Sequence, residues 1–339
     1  MRLGPFEIAH PFILAPMAGI THSPFRRIMR RHGAALVVSE LISANGIAYM
    51  GEKTLGLLKF SPEERHLGLQ IFGEDGTRLA DAARLVEKMG ADFVDLNLAC
   101  PVPKVVKKGG GAAMCRDVPR LAKVLEEVVR AVKIPVTIKI RTGWDADSRN
   151  ALEVVRAASD SGVTWVAVHG RTRAQGYSGE ADWEFLGNLK AHAGSIPIIG
   201  NGDLVTPELA CERYRKYGVD AVMIGRGVLR NPFFFEQASR VFVGESYVKP
   251  GPLEYVEVLK ELAPLFDEHF GEQGSLIHMR KFLAWFSSGF PGCHEFRSKV
   301  FSQIDRQTLW AEALRFFSSI PVGRDLGHLQ EKFLMGGEG

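Results

Sequence analysis

Eight short apolar runs recur along the first two-thirds of the chain: 12–19 (FILAPMAG), 35–41 (ALVVSEL), 66–73 (HLGLQIFG), 93–100 (FVDLNLAC), 135–141 (PVTIKIR), 165–171 (WVAVHGR), 197–203 (PIIGNGD) and 221–227 (AVMIGRG). Runs of this length, rich in β-branched residues and closed by Gly, Asn or Pro, predict strands. Between several of them lie segments with apolar residues three and four apart, the spacing of a one-sided helix: 77–90, 118–132, 150–162 and 206–218. Asp117 is placed to cap the second of these, and Thr206 followed by Pro207 opens the last. Eight evenly sized strand–helix units over roughly 230 residues predict a (β/α)8 TIM barrel rather than a doubly wound open sheet.

The rhythm changes near residue 240. GESYVKPGP (244–252) reads as a linker, and beyond it every pattern is helical: 253–270, 275–289, 294–304 and 308–320. The division expected is a barrel catalytic domain over 1–240 followed by a small C-terminal all-α helical domain over 250–320. The tail GHLQEKFLMGGEG (327–339) is expected to fray.

Composition narrows the classes. Hydrophobic residues at 46% and charged residues at 24% describe a globular protein, and a net charge of +3 is too small to argue for nucleic acid by itself. The four cysteines form no CxxC pair and no metal-ligand spacing, so reduced thiols, a cytoplasmic setting and no metal are expected. No apolar stretch has the length of a membrane span, and Glu7, His10 and Pro11 interrupt the N-terminus where a signal peptide would be apolar.

Chemistry is expected where barrel strands end. The runs end on Pro16-Met17-Ala18-Gly19, Glu40, Gln70, Asn97 with Cys100, Lys139 with Arg141, His169 with Arg171, Asn201-Gly202-Asp203, and Gly225-Arg226-Gly227. Strand alternation puts Lys139 and Arg141 on one face and His169 and Arg171 on one face, two cationic pairs at one mouth. It puts Asn97 and Cys100 on opposite faces, unless Cys100 already belongs to a loop. Glycines at 200, 202, 225 and 227 beside Arg226 are the usual phosphate signal after the last two strands of such a barrel. Arg26, Arg27, Arg30 and Arg31 read as a solvated helix face. Cys115, Cys211 and Cys293 read as structural, and Trp285 and Phe286 as helical core. Lys104, Lys107 and Lys108 adjoin Cys100 in a glycine-rich loop.

In this order and spacing, APMAGITHSPFR, LQIFG, LNLACPVPKVVKKGGGAAM, IKIRTGW, VHGRT, IIGNGD and IGRG resemble the tRNA-dihydrouridine synthases, in particular the bacterial B-type branch. MRKFLAWFSSGFPGCHEFRSK resembles that family's C-terminal helical RNA-binding domain. The resemblance implies an FMN-binding barrel that reduces the C5=C6 bond of uridines in tRNA, with NADPH or NADH as reductant. It implies that Pro16, Met17 and Ala18 pack on the flavin, Gln70 bonds its ring edge, Lys139 sits between ring and substrate, and His169 contacts the cofactor. Asn201, Gly202, Asp203, Gly225 and Arg226 would hold ribityl and phosphate. Cys100 would be the catalytic proton donor, with Asn97, Lys139, Arg141 and Arg171 toward the substrate base. Ala99 stands where the family often has glycine. A monomer is expected, with no membrane partner.

Residues 241–320 hold eight Lys/Arg against ten Asp/Glu, so any RNA contact there needs a local patch; 278–300, with Arg280 and Lys281, is the candidate. Three alternatives remain at this point. One is an FMN enzyme on a free pyrimidine, like a dihydroorotate dehydrogenase. Another is a tRNA-binding protein without catalysis. The third is an aldolase-type barrel with Lys139 as Schiff-base nucleophile.

Overall fold

The computed structural model describes residues 1–321; the tail at 327–339 lies outside the described residues. Eight parallel strands close into a barrel: β1 (Phe12–Leu14), β2 (Leu36–Ser43), β3 (Leu67–Phe72), β4 (Phe93–Leu98), β5 (Val136–Arg141), β6 (Val166–His169), β7 (Ile198–Asn201) and β8 (Ala221–Ile224). Each pairs with the next, and β8 returns to β1 with Val222 opposite Phe12. The eight apolar runs all hold strands; most strands stop short of the run's end, whereas β2 continues to Ser43 and β5 keeps Arg141. Two short antiparallel strands, Arg2–Leu3 and Phe6–Glu7, precede the barrel and lacked any pattern long enough to be read from sequence.

Strand alternation sorts two cores. Leu96, Ile138, Ile140, Val166, Val168, Val222 and Ile224 face outward to the helices. Ile13, Leu36, Phe93, Trp165, Ala167, Ile199, Ala221 and Met223 fill the barrel interior. Along β4 the inward positions run Phe93, Asp95, Asn97, and along β5 Thr137, Lys139, Arg141. The interior is therefore apolar at its floor and polar at its C-terminal mouth.

The flanking helices are α1 (Ser23–Arg31), α2 (Gly76–Lys88), α3 (Val118–Ala131), α4 (Ala151–Asp160), α5 (Trp183–His192), α6 (Pro207–Tyr217) and α7 (Phe234–Phe242). Asp117 and Thr206 cap α3 and α6 through their side chains, as their positions predicted. Three further elements follow: α8 (Pro252–Phe286), α9 (Cys293–Ser302) and α10 (Arg306–Ser318). α8 is two helical arms broken at Gly271, whose φ of 69° no helix interior adopts.

α8 docks on α1. Phe282 lies 5.0 Å from Phe25 between ring centroids, and the His22 ring is surrounded by Phe266, Phe270, His278 and Phe282. This corrects the reading of the α1 arginines as a solvated face. Arg26 is 1% exposed and pairs with Glu64 at 2.6 Å. Arg27 bridges Glu63 and Glu268, and Arg31 bridges Glu63 and Glu261. Part of the acidity of the C-terminal helices thus faces the basic side of α1. Among the described residues no helix is long and apolar enough to cross a membrane.

Candidate active site at the barrel mouth

Pairing register assembles the site. Gln70 on β3 lies opposite Asp95 on β4, and Asp95 opposite Thr137 on β5. One step toward the mouth, Asn97 is opposite Lys139, and then Arg141 is opposite His169 and His169 opposite Asn201. Residues from five adjacent strands, β3 to β7, therefore converge on one cavity. It is lined also by Pro16, Met17, Ala18, Cys100, Tyr177, Gly202, Asp203, Gly225, Arg226 and Trp285.

A single hydrogen-bonded chain runs from the barrel interior to the backbone of Cys100. Thr137 Oγ1 donates to Asp95 (2.6 Å), Gln70 Nε2 donates to Asp95 (2.6 Å), and Asn97 Nδ2 donates to Gln70 Oε1 (2.7 Å). Asn97 Oδ1 then accepts the backbone N–H groups of Ala99 (3.1 Å) and Cys100 (2.8 Å). Those two backbone donors fix which way the Asn97 amide points, and with it the Gln70 amide. They also settle the alternation question: β4 ends at Leu98, and the turn held by Asn97 swings Cys100 back to the side where Asn97 already faces. Gln70 has Asp95 and Asn97 as partners, so its amide is oriented from behind the cavity wall. Asp95 escaped the sequence reading because it lies mid-run; its signal was a carboxylate inside an otherwise apolar strand.

The mouth is crowded with cations. Lys139 is 7% exposed, and its Nζ donates to Asn201 Oδ1 at 3.0 Å. Burial, with Arg141 nearby, pushes its ammonium down to about 8, only partly offset by Asp95. Arg141 Nε donates to the Ala99 carbonyl (2.9 Å) and Nη1 to the carbonyls of Thr172 (3.0 Å) and Gly176 (2.8 Å). Burial together with Lys139, Arg141, Arg171 and Arg226 holds His169 well below its ordinary value, so its imidazole is neutral. Burial pushes the Cys100 thiol up, against the Val102 backbone and Arg141, which pull it down.

Arg171 requires a correction. It does not line the cavity: it is 1% exposed and donates to the carbonyls of Ser178 (3.2 Å) and Gly179 (2.5 Å) and to Asp203 (2.7 Å). It braces the loop after β6, with Nη1 also 3.4 Å from Nε2 of His169, so it stands behind the cavity wall rather than in it. Asp203 accepts from Arg171 at 2.7 Å and from Arg226 at 3.4 Å, which places Arg226 at the rim. The glycine signal also divides. A Cβ at Gly200 would meet Trp183 at 2.6 Å, so that glycine serves packing. A Cβ at Gly225 would meet nothing nearer than Met17 Sδ at 3.7 Å, leaving backbone open to the cavity.

Two lining residues were read differently or missed. Tyr177 reaches over the mouth with the guanidiniums of Arg141 and Arg226 at 5.7 and 5.1 Å from its ring centroid. Trp285, expected in the helical core beside Phe286, is half-buried, and α8 delivers it to the cavity wall, while Phe286 is fully buried as expected. Arg280, expected on an RNA-facing patch, turns inward to the Gln303 carbonyl. The four cysteines are free thiols, and among the described residues no group of His, Cys, Asp or Glu could hold a metal ion.

Comparison with known proteins shows what the chain as a whole is similar to. A family model described as dihydrouridine synthase matches residues 13–320. The tRNA-dihydrouridine synthase B of Pseudomonas aeruginosa is 38% identical over 320 residues, covering 94% of this chain and 96% of that protein. The protein of the same name from Xanthomonas campestris is 40% identical over 302 residues, covering 88% and 90%. Among solved structures, histamine dehydrogenase from Rhizobium sp. 4-9 superposes with a TM-score of 0.55 at 13% identity, covering 72% of this chain and 48% of that one, a likeness of fold alone.

Proposed function

The chain belongs to the dihydrouridine synthase family, in its bacterial B-type branch, and on that premise we propose that it reduces uridines in tRNA to dihydrouridine, with FMN in the barrel mouth and NADPH or NADH as reductant. The observation that carries this reading is the meeting of a protonated thiol, a buried ammonium without a carboxylate, and an apolar wall at Pro16 and Met17 around one cavity.

The residues present fit FMN. Met17 and Ala18 offer an apolar face, and Gly225 leaves its backbone open. Gln70, Lys139, Asn201 and neutral His169 offer polar contacts to a ring and ribityl chain. Arg226 at the rim suits a phosphate. The chemistry FMN would supply when bound is hydride donation from N5 to uracil C6, which no side chain can perform.

The chain's own part is the proton and the charge. The Cys100 thiol gives its proton to C5; burial keeps it protonated at neutral pH, so the acid is always loaded. Lys139, with Arg141 beside it, faces the negative charge that develops on the uracil oxygens, in a desolvated site. Arg141 holds the Ala99 carbonyl, and Asn97 holds the Ala99 and Cys100 N–H groups, so the thiol-bearing turn is clamped from both ends. Asp203 binds Arg171, Arg226 and the Ala181 N–H (2.7 Å), and keeps the loop carrying Tyr177 over the mouth. The C-terminal segment 250–320 is assigned to tRNA binding, and the protein to the cytoplasm as a monomer.

The test is nucleoside mass spectrometry on tRNA lacking dihydrouridine, incubated with the protein, FMN and NADPH. A gain of two hydrogens on uridine is expected, falling by about 10²–10⁴ in Cys100→Ala with flavin still bound. Flavin bound without any gain on tRNA, together with turnover of free uridine or dihydroorotate, would replace this reading with a small-molecule one.

A further inference from the structure

Outside the cavity, the catalytic face carries a second arrangement of guanidiniums on an aromatic ring. Arg116 Cζ and Arg173 Cζ each lie 4.6 Å from the centroid of the Trp144 ring. The three residues come from three connections: Arg116 from the turn after the Cys100 loop, Trp144 from the loop after β5, and Arg173 from the loop after β6. The loops are tied together by backbone hydrogen bonds, Arg173 N–H to Gly143 (2.9 Å) and Ala174 N–H to Trp144 (2.8 Å). Asn150 Nδ2 adds a bond to the Cys115 carbonyl at 2.6 Å. Arg141, on the cavity wall, grips the carbonyl of Thr172 next to Arg173, so the stack is anchored to the site itself.

Neither guanidinium has a salt-bridge partner among the described residues. Asp145 acts on Arg116 through space, but its carboxylate accepts from Ser148 and the Asp147 N–H. Stacking on an indole orders a guanidinium while leaving N–H groups in its plane free to meet a phosphate; Arg116 is exposed, and Arg173, whose Nε is buried, would make the contact through its Nη groups. The exposed lysines of the 104–108 loop belong to the same face.

We propose that Arg116 and Arg173, ordered on Trp144, form a clamp for the phosphates of the RNA strand that flanks the target uridine. The proposal rests on the tRNA reading above and adds the surface on which the strand lies. It assigns RNA grip to the barrel rim as well as to the helical segment.

The experiment measures tRNA affinity of the flavin-loaded protein over a salt series, for the wild type and for Arg116→Gln/Arg173→Gln. With two phosphate-binding cations removed, the slope of log affinity against log salt should fall by about 1.5–2, and affinity at low salt by about ten-fold or more. Flavin content and melting temperature should stay unchanged. A wild type that does not bind tRNA would overturn the functional reading. A wild type that binds, with the same slope and affinity in the variant, would overturn the clamp alone. If the double variant melts lower, Arg116→Gln decides, because Arg116 is exposed: a slope reduced by about 1 supports the clamp, and an unchanged slope overturns it and leaves the stack as a brace between loops.

Discussion

Two groups of buried cations lie within the same barrel and are held in opposite ways. Beneath α1, Arg26 meets a carboxylate: its Nε pairs with Glu64, its Nη1 donates to the Thr21 carbonyl at 2.6 Å, and Ser23 also donates to Glu64. At the mouth, Lys139 and Arg141 bond to an amide and to backbone carbonyls. A carbonyl orients a cation without neutralising it. The first arrangement is complete in itself; the second leaves net positive charge in a desolvated cavity, which an anionic or charge-developing ligand can use. What sets the mouth cations apart from Arg26 is the partner they lack rather than their depth.

That contrast breaks most visibly on the structural side. Glu64→Gln leaves Arg26 buried without its counter-charge, and should destabilise the fold by about 3–5 kcal/mol. Urea unfolding monitored by far-UV circular dichroism would read this, and flavin affinity per folded molecule should be unchanged. If stability hardly moves, the Arg26–Glu64 pair is not the keystone of the α1 platform.

On the functional side, Lys139→Gln should lower the tRNA reduction rate by about 10²–10³ while leaving the fold as stable or more so. The pH profile sharpens this. Lys139 sits at about 8, below the ordinary lysine value, so its charge is present below that pH and is lost as pH rises through it. The wild-type rate should therefore fall above about pH 8, and that alkaline limb should vanish in Lys139→Gln. Burial raises the Cys100 thiol, so its ionisation does not produce an earlier limb. For stability the sign is opposite. Burying the protonated amine is unfavourable at neutral pH, and that penalty is relieved between about 8 and the ordinary lysine value as the amine becomes neutral. A limb that persists in the variant would assign it to another group.

The barrel was legible because each strand carries its own signal, an apolar run closed by a polar residue or glycine. Most of the mouth was legible for the same reason, since strand ends are where such a barrel places chemistry. What escaped depends on contacts between segments far apart in the chain. Asp95 looks like an interruption of a strand until register sets it between Gln70 and Thr137. Arg171 shares parity with His169, yet β6 ends at His169, and beyond a strand's end parity no longer predicts direction. The basic stripe on α1 looks solvated until Glu261 and Glu268 arrive from α8. Tyr177 stands in a loop with no periodicity to read.

Trp285 is the residue that joins the two regions. Its neighbours Phe282 and Phe286 belong to the helical core that packs over α1, and its own ring, edge-on to Phe282 at 5.0 Å, faces the cavity with Met17 and Ile20. Helical spacing does not separate these residues, since all three lie on one short apolar stretch. On the proposed function the cavity receives an extruded base, and an indole at its wall is suited to stack on that base or its neighbour. Stacking on one base is worth about 1–3 kcal/mol, so Trp285→Ala should raise the KM for tRNA by about ten-fold, with a smaller change in kcat. Trp285→Phe should recover much of the loss, because a phenyl face still stacks. If instead Trp285 acts only as packing, Trp285→Ala should lower the melting temperature and leave KM unchanged in the folded fraction. Steady-state kinetics paired with thermal melts separates the two, and the smallest expected effect thereby tests whether α8 is a part of the active site or only its neighbour.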